Sequence, residues 1–130
     1  MLAAVARVIE VAKARDLPLV VDADGLWLIE RRPQLVEGYG AAVLTPNAAE
    51  FRRLAQALQL PASCGLQQLV DRLAGPVVVQ KGPVDLIGRP NCEPLSCAEP
   101  GAPRRPGAGT ETRNKAREVV SGTSWLEDTR

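Results

Sequence analysis

The chain has 130 residues, enough for one domain. Its 16 Lys and Arg balance 15 Asp and Glu, so no bulk charge draws it to nucleic acid or to a membrane surface. The absence of histidine excludes His-based acid–base chemistry, triads and His-ligated metal sites; Cys64, Cys92 and Cys97, odd in number and without a CxxC spacing, indicate neither a disulfide framework nor zinc.

A reducing intracellular setting fits that cysteine usage. No apolar run approaches the roughly 18 residues of a membrane-spanning helix. Arg7, Glu10, Lys13 and Arg15 interrupt any secretory apolar core near the start. That stretch instead predicts an amphipathic helix over residues 2–15, with Leu2, Val5, Ile9 and Ala12 on one face and Val8 beside them. A chain that opens inside a helix predicts that further sequence precedes it.

Leu17-Pro18-Leu19-Val20-Val21 is a continuous apolar run, the mark of a strand covered on both faces in a parallel sheet. A short helix is expected over residues 26–30 and a strand over 41–44. A helix over about 48–60 carries the stripe Phe51, Leu54, Ala55, Leu58. A helix over 66–73 then leads into the strand 77–80. Residues 84–87 could pair as a short edge strand after a turn at Lys81-Gly82-Pro83. This alternation predicts an α/β parallel sheet with right-handed crossovers in residues 1–88. Beyond Gly88 bulky apolar residues are sparse and prolines crowd in at 90, 94, 100, 103 and 106. Residues 89–130 are therefore expected to form a largely disordered tail, with no more than a short helix near 115–120.

Three polar clusters each follow the end of an expected strand: Asp22-Ala23-Asp24-Gly25, Thr45-Pro46-Asn47-Ala48-Ala49-Glu50, and Lys81-Gly82-Pro83-Val84-Asp85. Ligands of open α/β sheets bind at the carboxyl ends of strands, so the three clusters describe one face. Asp22 and Asp24 could hold a cation, orient a substrate hydroxyl, or only turn the chain. Asn47 and Glu50 have the spacing of a capping box; the same helix start would also suit phosphate. Arg52 and Arg53 either reach a phosphorylated ligand or form a solvated face. Lys81-Gly82 suits either a phosphate contact or an ordinary turn.

Val20-Val21-Asp22-Ala23-Asp24-Gly25-Leu26-Trp27-Leu28, Val43-Leu44-Thr45-Pro46-Asn47-Ala48-Ala49-Glu50-Phe51 and Val77-Val78-Val79-Gln80-Lys81-Gly82 stand in an order and spacing that resembles the ATP-dependent (S)-NAD(P)H-hydrate dehydratases. The resemblance covers residues 1 to about 88 and continues weakly to about 111. It implies a ribokinase-like sheet with helices on both faces. It also implies an ATP-dependent dehydration of the S-epimer of hydrated NADH or NADPH, through phosphorylation of the ring hydroxyl, with Mg²⁺ assisting. By the same resemblance, Asn47, Ala48, Ala49, Glu50, Phe51, Arg52 and Arg53 contact the hydrated dinucleotide. Lys81, Gly82, Pro83, Val84 and Asp85 contact ATP.

The sequence also departs from the family. Where members carry a glycine-rich motif ending in Gly-x-Gly-Asp, with the aspartate as base, this chain has Arg104-Arg105-Pro106-Gly107-Ala108-Gly109-Thr110-Glu111. Arg104, Arg105 and Gly107 fit, but the terminal pair is Thr-Glu. No catalytic residue is then intact and no metal ligand is assigned. The expectation is a truncated or alternatively spliced form with impaired turnover, cytoplasmic or mitochondrial, with homo-oligomers open to it. Two other readings stand beside the enzyme. One is a non-catalytic module that binds nucleotide or a full-length copy. The other is a vitamin-precursor kinase of the same superfamily, against which the residues around Trp27 and Phe51 speak.

Overall fold

The computed structural model describes residues 1–99. Helix α1 (Leu2–Ala14) leads to strand β1 (Leu19–Val21), helix α2 (Asp24–Arg31), a 3₁₀ turn (Pro33–Leu35) and strand β2 (Ala42–Leu44). Helices α3 (Ala48–Ala57) and α4 (Leu66–Leu73) precede strands β3 (Val77–Gln80), β4 (Asp85–Gly88) and β5 (Leu95–Cys97). The expected elements up to residue 87 are all present. No helix among the described residues is long and apolar enough to cross a membrane.

The strands form one sheet in the order β1-β2-β3-β4-β5. β1, β2 and β3 run parallel, with Val20 opposite Val43 and Val43 opposite Val77. β4 is antiparallel to β3, and β5 to β4. The expectation of a parallel sheet thus holds for its first three strands only. Residues 81–84 are too few for a crossover, which needs a dozen or more, so β4 must fold back beside β3.

β4 is not an edge strand, because β5 pairs with its other side through Leu95 opposite Ile87 and Cys97 opposite Asp85. The expectation of disorder from residue 89 onward is corrected at Leu95–Cys97. Composition measures how much apolar surface a segment can bury, whereas this strand is added by main-chain hydrogen bonds, and Pro90 and Pro94 flank it without entering it. The remainder of that expectation, with the helix near 115–120, lies outside the described residues.

One core binds the helices to one face of the sheet. Val21, Ala42, Leu44 and Val78 point from that face into a cluster with Ile9, Leu26, Ile29, Leu54, Leu69 and Leu73. Burying a side chain of this size contributes about 1.5–3 kcal/mol. The α3 stripe Phe51, Leu54, Ala55 and Leu58 is buried as its spacing requires. In α1 the buried stripe is Ala6, Ile9 and Ala12; Val8, expected near it, is 60% exposed.

Val20, Val43 and Val77 stand on the opposite face and outside that cluster, and Val20 is 42% exposed. The apolar run 17–21 therefore forms a strand covered on one face, not both, among the described residues. Among the described residues β1 is also one edge of the sheet.

Candidate functional site

The three polar clusters sit at the carboxyl ends of three adjacent parallel strands and are tied to one another. The first is a tight turn. The Gly25 amide donates to the Asp22 carbonyl at 3.0 Å. Ala23 holds φ 47°, ψ −117°, the first central position of a type II′ turn, where glycine is the usual residue. An alanine there is strained, and such strain concentrates at functional sites. Gly25 lacks the Cβ that would meet Val21 Cγ1 at 2.8 Å. The reversal that Asp-Gly suggested in the sequence is thus present, with the positive φ on Ala23.

The second cluster starts at Thr45, which is buried and whose hydroxyl donates to the Val21 carbonyl at 3.4 Å. Asn47 and Glu50 make the expected capping box in full. The Glu50 amide donates to Asn47 Oδ1 at 2.9 Å, and the Asn47 amide donates to Glu50 Oε2 at 2.8 Å. Such a cap contributes about 1 kcal/mol. Asn47, Ala48 and Ala49 are exposed at the helix start, Glu50 is half-buried and Phe51 is buried.

Arg52 and Arg53 diverge. Arg53 Nε donates to both carboxylate oxygens of Glu30 on α2, at 3.0 and 3.2 Å. Arg52 is exposed, its Nε donating to the Ala48 carbonyl at 3.4 Å. It lines a cleft of about 360 Å³ with Phe51, Ala55, Leu60 and Pro61. Glu30 was missed in the sequence because 23 residues separate it from Arg53. Trp27 lies on the outer side of α2, with the Arg31 guanidinium 3.4 Å from its ring centre.

The third cluster closes the rim. Lys81 donates its backbone amide to the Pro46 carbonyl at 2.8 Å and its ammonium to Asp22 Oδ1 at 3.1 Å. One residue thus joins the ends of all three strands. The pair is largely enclosed, with side chains 16% and 17% exposed. Asp85 is buried, and its Oδ1 accepts the Gly82 amide at 3.1 Å, bracing the turn. Of the five residues expected to meet ATP, Lys81 and Gly82 are half-buried, Pro83 and Val84 are exposed, and Asp85 turns inward. The stretch Arg104–Glu111 lies outside the described residues.

Burial alone would raise the Asp22 carboxyl. The hydrogen bond and charge of Lys81, helped by the Thr45 hydroxyl and the Ala23 amide, outweigh it and hold the group below its ordinary value of 3.8. A depressed carboxyl stabilises the fold above the unfolded pKa, and that contribution is lost as pH falls through the folded value. Asp22→Asn should therefore show less acid-induced loss of stability than the unsubstituted chain, from roughly pH 5 downward. Denaturant midpoints measured across that range check this, and parallel curves for the two chains would refute it.

The family model described as NAD(P)H-hydrate dehydratase matches residues 3–110, most of the chain. The chain belongs to the NAD(P)H-hydrate dehydratase family. Relatives within it include the ATP-dependent (S)-NAD(P)H-hydrate dehydratase of Schizosaccharomyces pombe, 43% identical over 106 residues, covering 78% of this chain and 31% of that protein. The enzyme of the same name from Rattus norvegicus is 47% identical, covering 77% and 31%. That of Homo sapiens is 43% identical, covering 77% and 30%. The chain thus spans about a third of the length of these curated relatives. Among solved structures, a ribokinase-like superfamily protein from Enterococcus faecalis V583 superposes with a TM-score of 0.54 at 21% identity, over 81% of this chain and 37% of that one. The fold is ribokinase-like, and all three rim clusters fall within the part matched by the NAD(P)H-hydrate dehydratase family.

Proposed function

We propose that this chain carries the nucleotide-gripping rim of an ATP-dependent NAD(P)H-hydrate dehydratase, acting on the S-epimer of hydrated NADH or NADPH. The observation that carries the reading is the convergence of the three strand ends on Lys81, which bonds to Asp22 and to Pro46 at once. In this reading Lys81 and Gly82 meet the ATP phosphates, with Pro83 and Val84 beside them and Asp85 holding the turn. The start of α3, with Asn47, Ala48, Ala49 and Glu50, faces the hydrated dinucleotide. Its dipole and exposed first turn suit a pyrophosphate. Phe51 and Arg52 line the adjacent cleft. Arg53, held by Glu30, serves as a fixed charge.

The described residues do not fit a protein-held Mg²⁺. No group of three His, Cys, Asp or Glu side chains stands together among them, and the Asp22 carboxylate is already paired with Lys81. Magnesium in this reading arrives with the nucleotide, and no step is derived through it. The setting is cytoplasmic or mitochondrial.

Catalysis by this chain alone is expected to be weak, because Thr110-Glu111 stands where the family carries its Gly-Asp base motif. The test is calorimetry with ATP, alongside the ATP-dependent loss of the hydrate's absorbance. Saturable ATP binding with little or no turnover is expected. Failure to bind ATP would sink the reading, and rapid turnover would refute the impairment. A second reading is favoured by the edge position of β1 and the exposure of Val20: a second copy or a longer relative pairs along that edge. Co-purification with the longer enzyme would show it.

A further inference from the structure

A phosphate contact made by a lone lysine is loose, because the ammonium rides on a flexible four-carbon stem and must be ordered on binding. Here the stem is already ordered. The Lys81 ammonium lies 3.1 Å from Asp22 Oδ1, within a pair that is more than four-fifths enclosed. Asp22 is itself fixed, through the tight turn closed by the Gly25 amide. Arg7, Arg32 and Arg72 also form ion pairs, but with side chains about half exposed or more, where such pairs contribute little.

We propose that Asp22 is a positioning residue for nucleotide phosphates, holding the Lys81 ammonium at the rim where a triphosphate would meet it. This rests on the reading of Lys81 as a phosphate contact. Asp22 also places a negative charge near the incoming anion. A phosphate on the far side of Lys81 lies about twice as far from Asp22 as from the ammonium, and Coulomb energy falls inversely with distance, so attraction outweighs repulsion. The pair therefore keeps its pull on phosphate while removing the disorder of the lysine stem.

The experiment titrates the full chain and its Lys81→Met, Asp22→Asn, Asp22→Glu and double Asp22→Asn/Lys81→Met variants with ATP, tripolyphosphate and adenosine. Lys81→Met is expected to weaken ATP and tripolyphosphate about tenfold or more, the size of one charge-assisted contact. Asp22→Asn should weaken both by about tenfold and leave adenosine unchanged. Asp22→Glu should recover most of the loss, and the double variant should bind no worse than Lys81→Met. A structural role alone would weaken adenosine too, and would make the two losses add; either result overturns the proposal. Unchanged or tighter triphosphate binding by a folded Asp22→Asn also overturns it. If that variant does not fold, equal losses for adenosine and tripolyphosphate in Asp22→Glu decide against it. Lys81→Met without effect overturns the phosphate reading of the loop instead, and absence of ATP binding by the unsubstituted chain overturns both.

Discussion

Gly75→Ala should destabilise the fold by about 3 kcal/mol, through overpacking that neither neighbour can relieve. A Cβ at Gly75 would sit 2.5 Å from the Gly38 carbonyl carbon and 2.5 Å from the Tyr39 nitrogen. Both are backbone atoms, and they cannot swing aside as the end of a side chain can. The segment they belong to is pinned. The Gly38 amide donates to the Leu73 carbonyl at 2.9 Å, and the Tyr39 hydroxyl donates to the Leu17 carbonyl. In a domain of this size the change amounts to a fall of roughly 15 °C in the thermal midpoint. Gly40→Ala is the control, because a Cβ there meets nothing within 4 Å. Equal melting of the two variants would contradict the packing of the α4–β3 connection against the turn before β2.

Phe51→Ala is expected to cost about 3 kcal/mol of stability, the ordinary penalty for removing a core phenyl ring. Phe51 lies within the segment that resemblance assigns to the dinucleotide, yet it is only 5% exposed and belongs to the core cluster with Leu54 and Ala55. One edge lines the cleft beside α3, which it shares with Arg52. A loss of ligand binding in Phe51→Ala would therefore arise largely from unfolding. Arg52→Ala should leave the thermal midpoint almost unmoved, since Arg52 is exposed and makes only a long bond to a carbonyl of its own helix. Chemical denaturation of both variants distinguishes these cases. Equal and large losses would show that Arg52 supports the fold.

The α3 stripe and the Asn47–Glu50 box were legible in the sequence because helix periodicity and capping are local, set by residues three or four apart. The strand 77–80 was legible as a local apolar run, and β4 as the short strand expected over residues 84–87, one residue off its observed span. Their pairing was not. The antiparallel return of β4 follows from the brevity of residues 81–84, but β5 depends on an open edge that only the assembled sheet supplies. The α1 face was misread at Val8, because small residues such as Ala6 let α1 approach the core closely, and a tally of bulky side chains overlooks them. Glu30 could not be paired with Arg53 from spacing, since their meeting requires α2 and α3 to pack.

By itself the sequence determined the helices and strands up to residue 88, and placed Asp22, Thr45 and Lys81 each just past a strand end. Local propensity and periodicity carry that information over a few residues. Tertiary structure alone decided that Lys81 turns its ammonium to Asp22, 59 residues away, and its amide to Pro46. It also decided that the helices share one face and leave Val20 open. Contacts of that kind form only when parallel strands settle into register, and no short stretch of sequence encodes the register of two strands it does not contain.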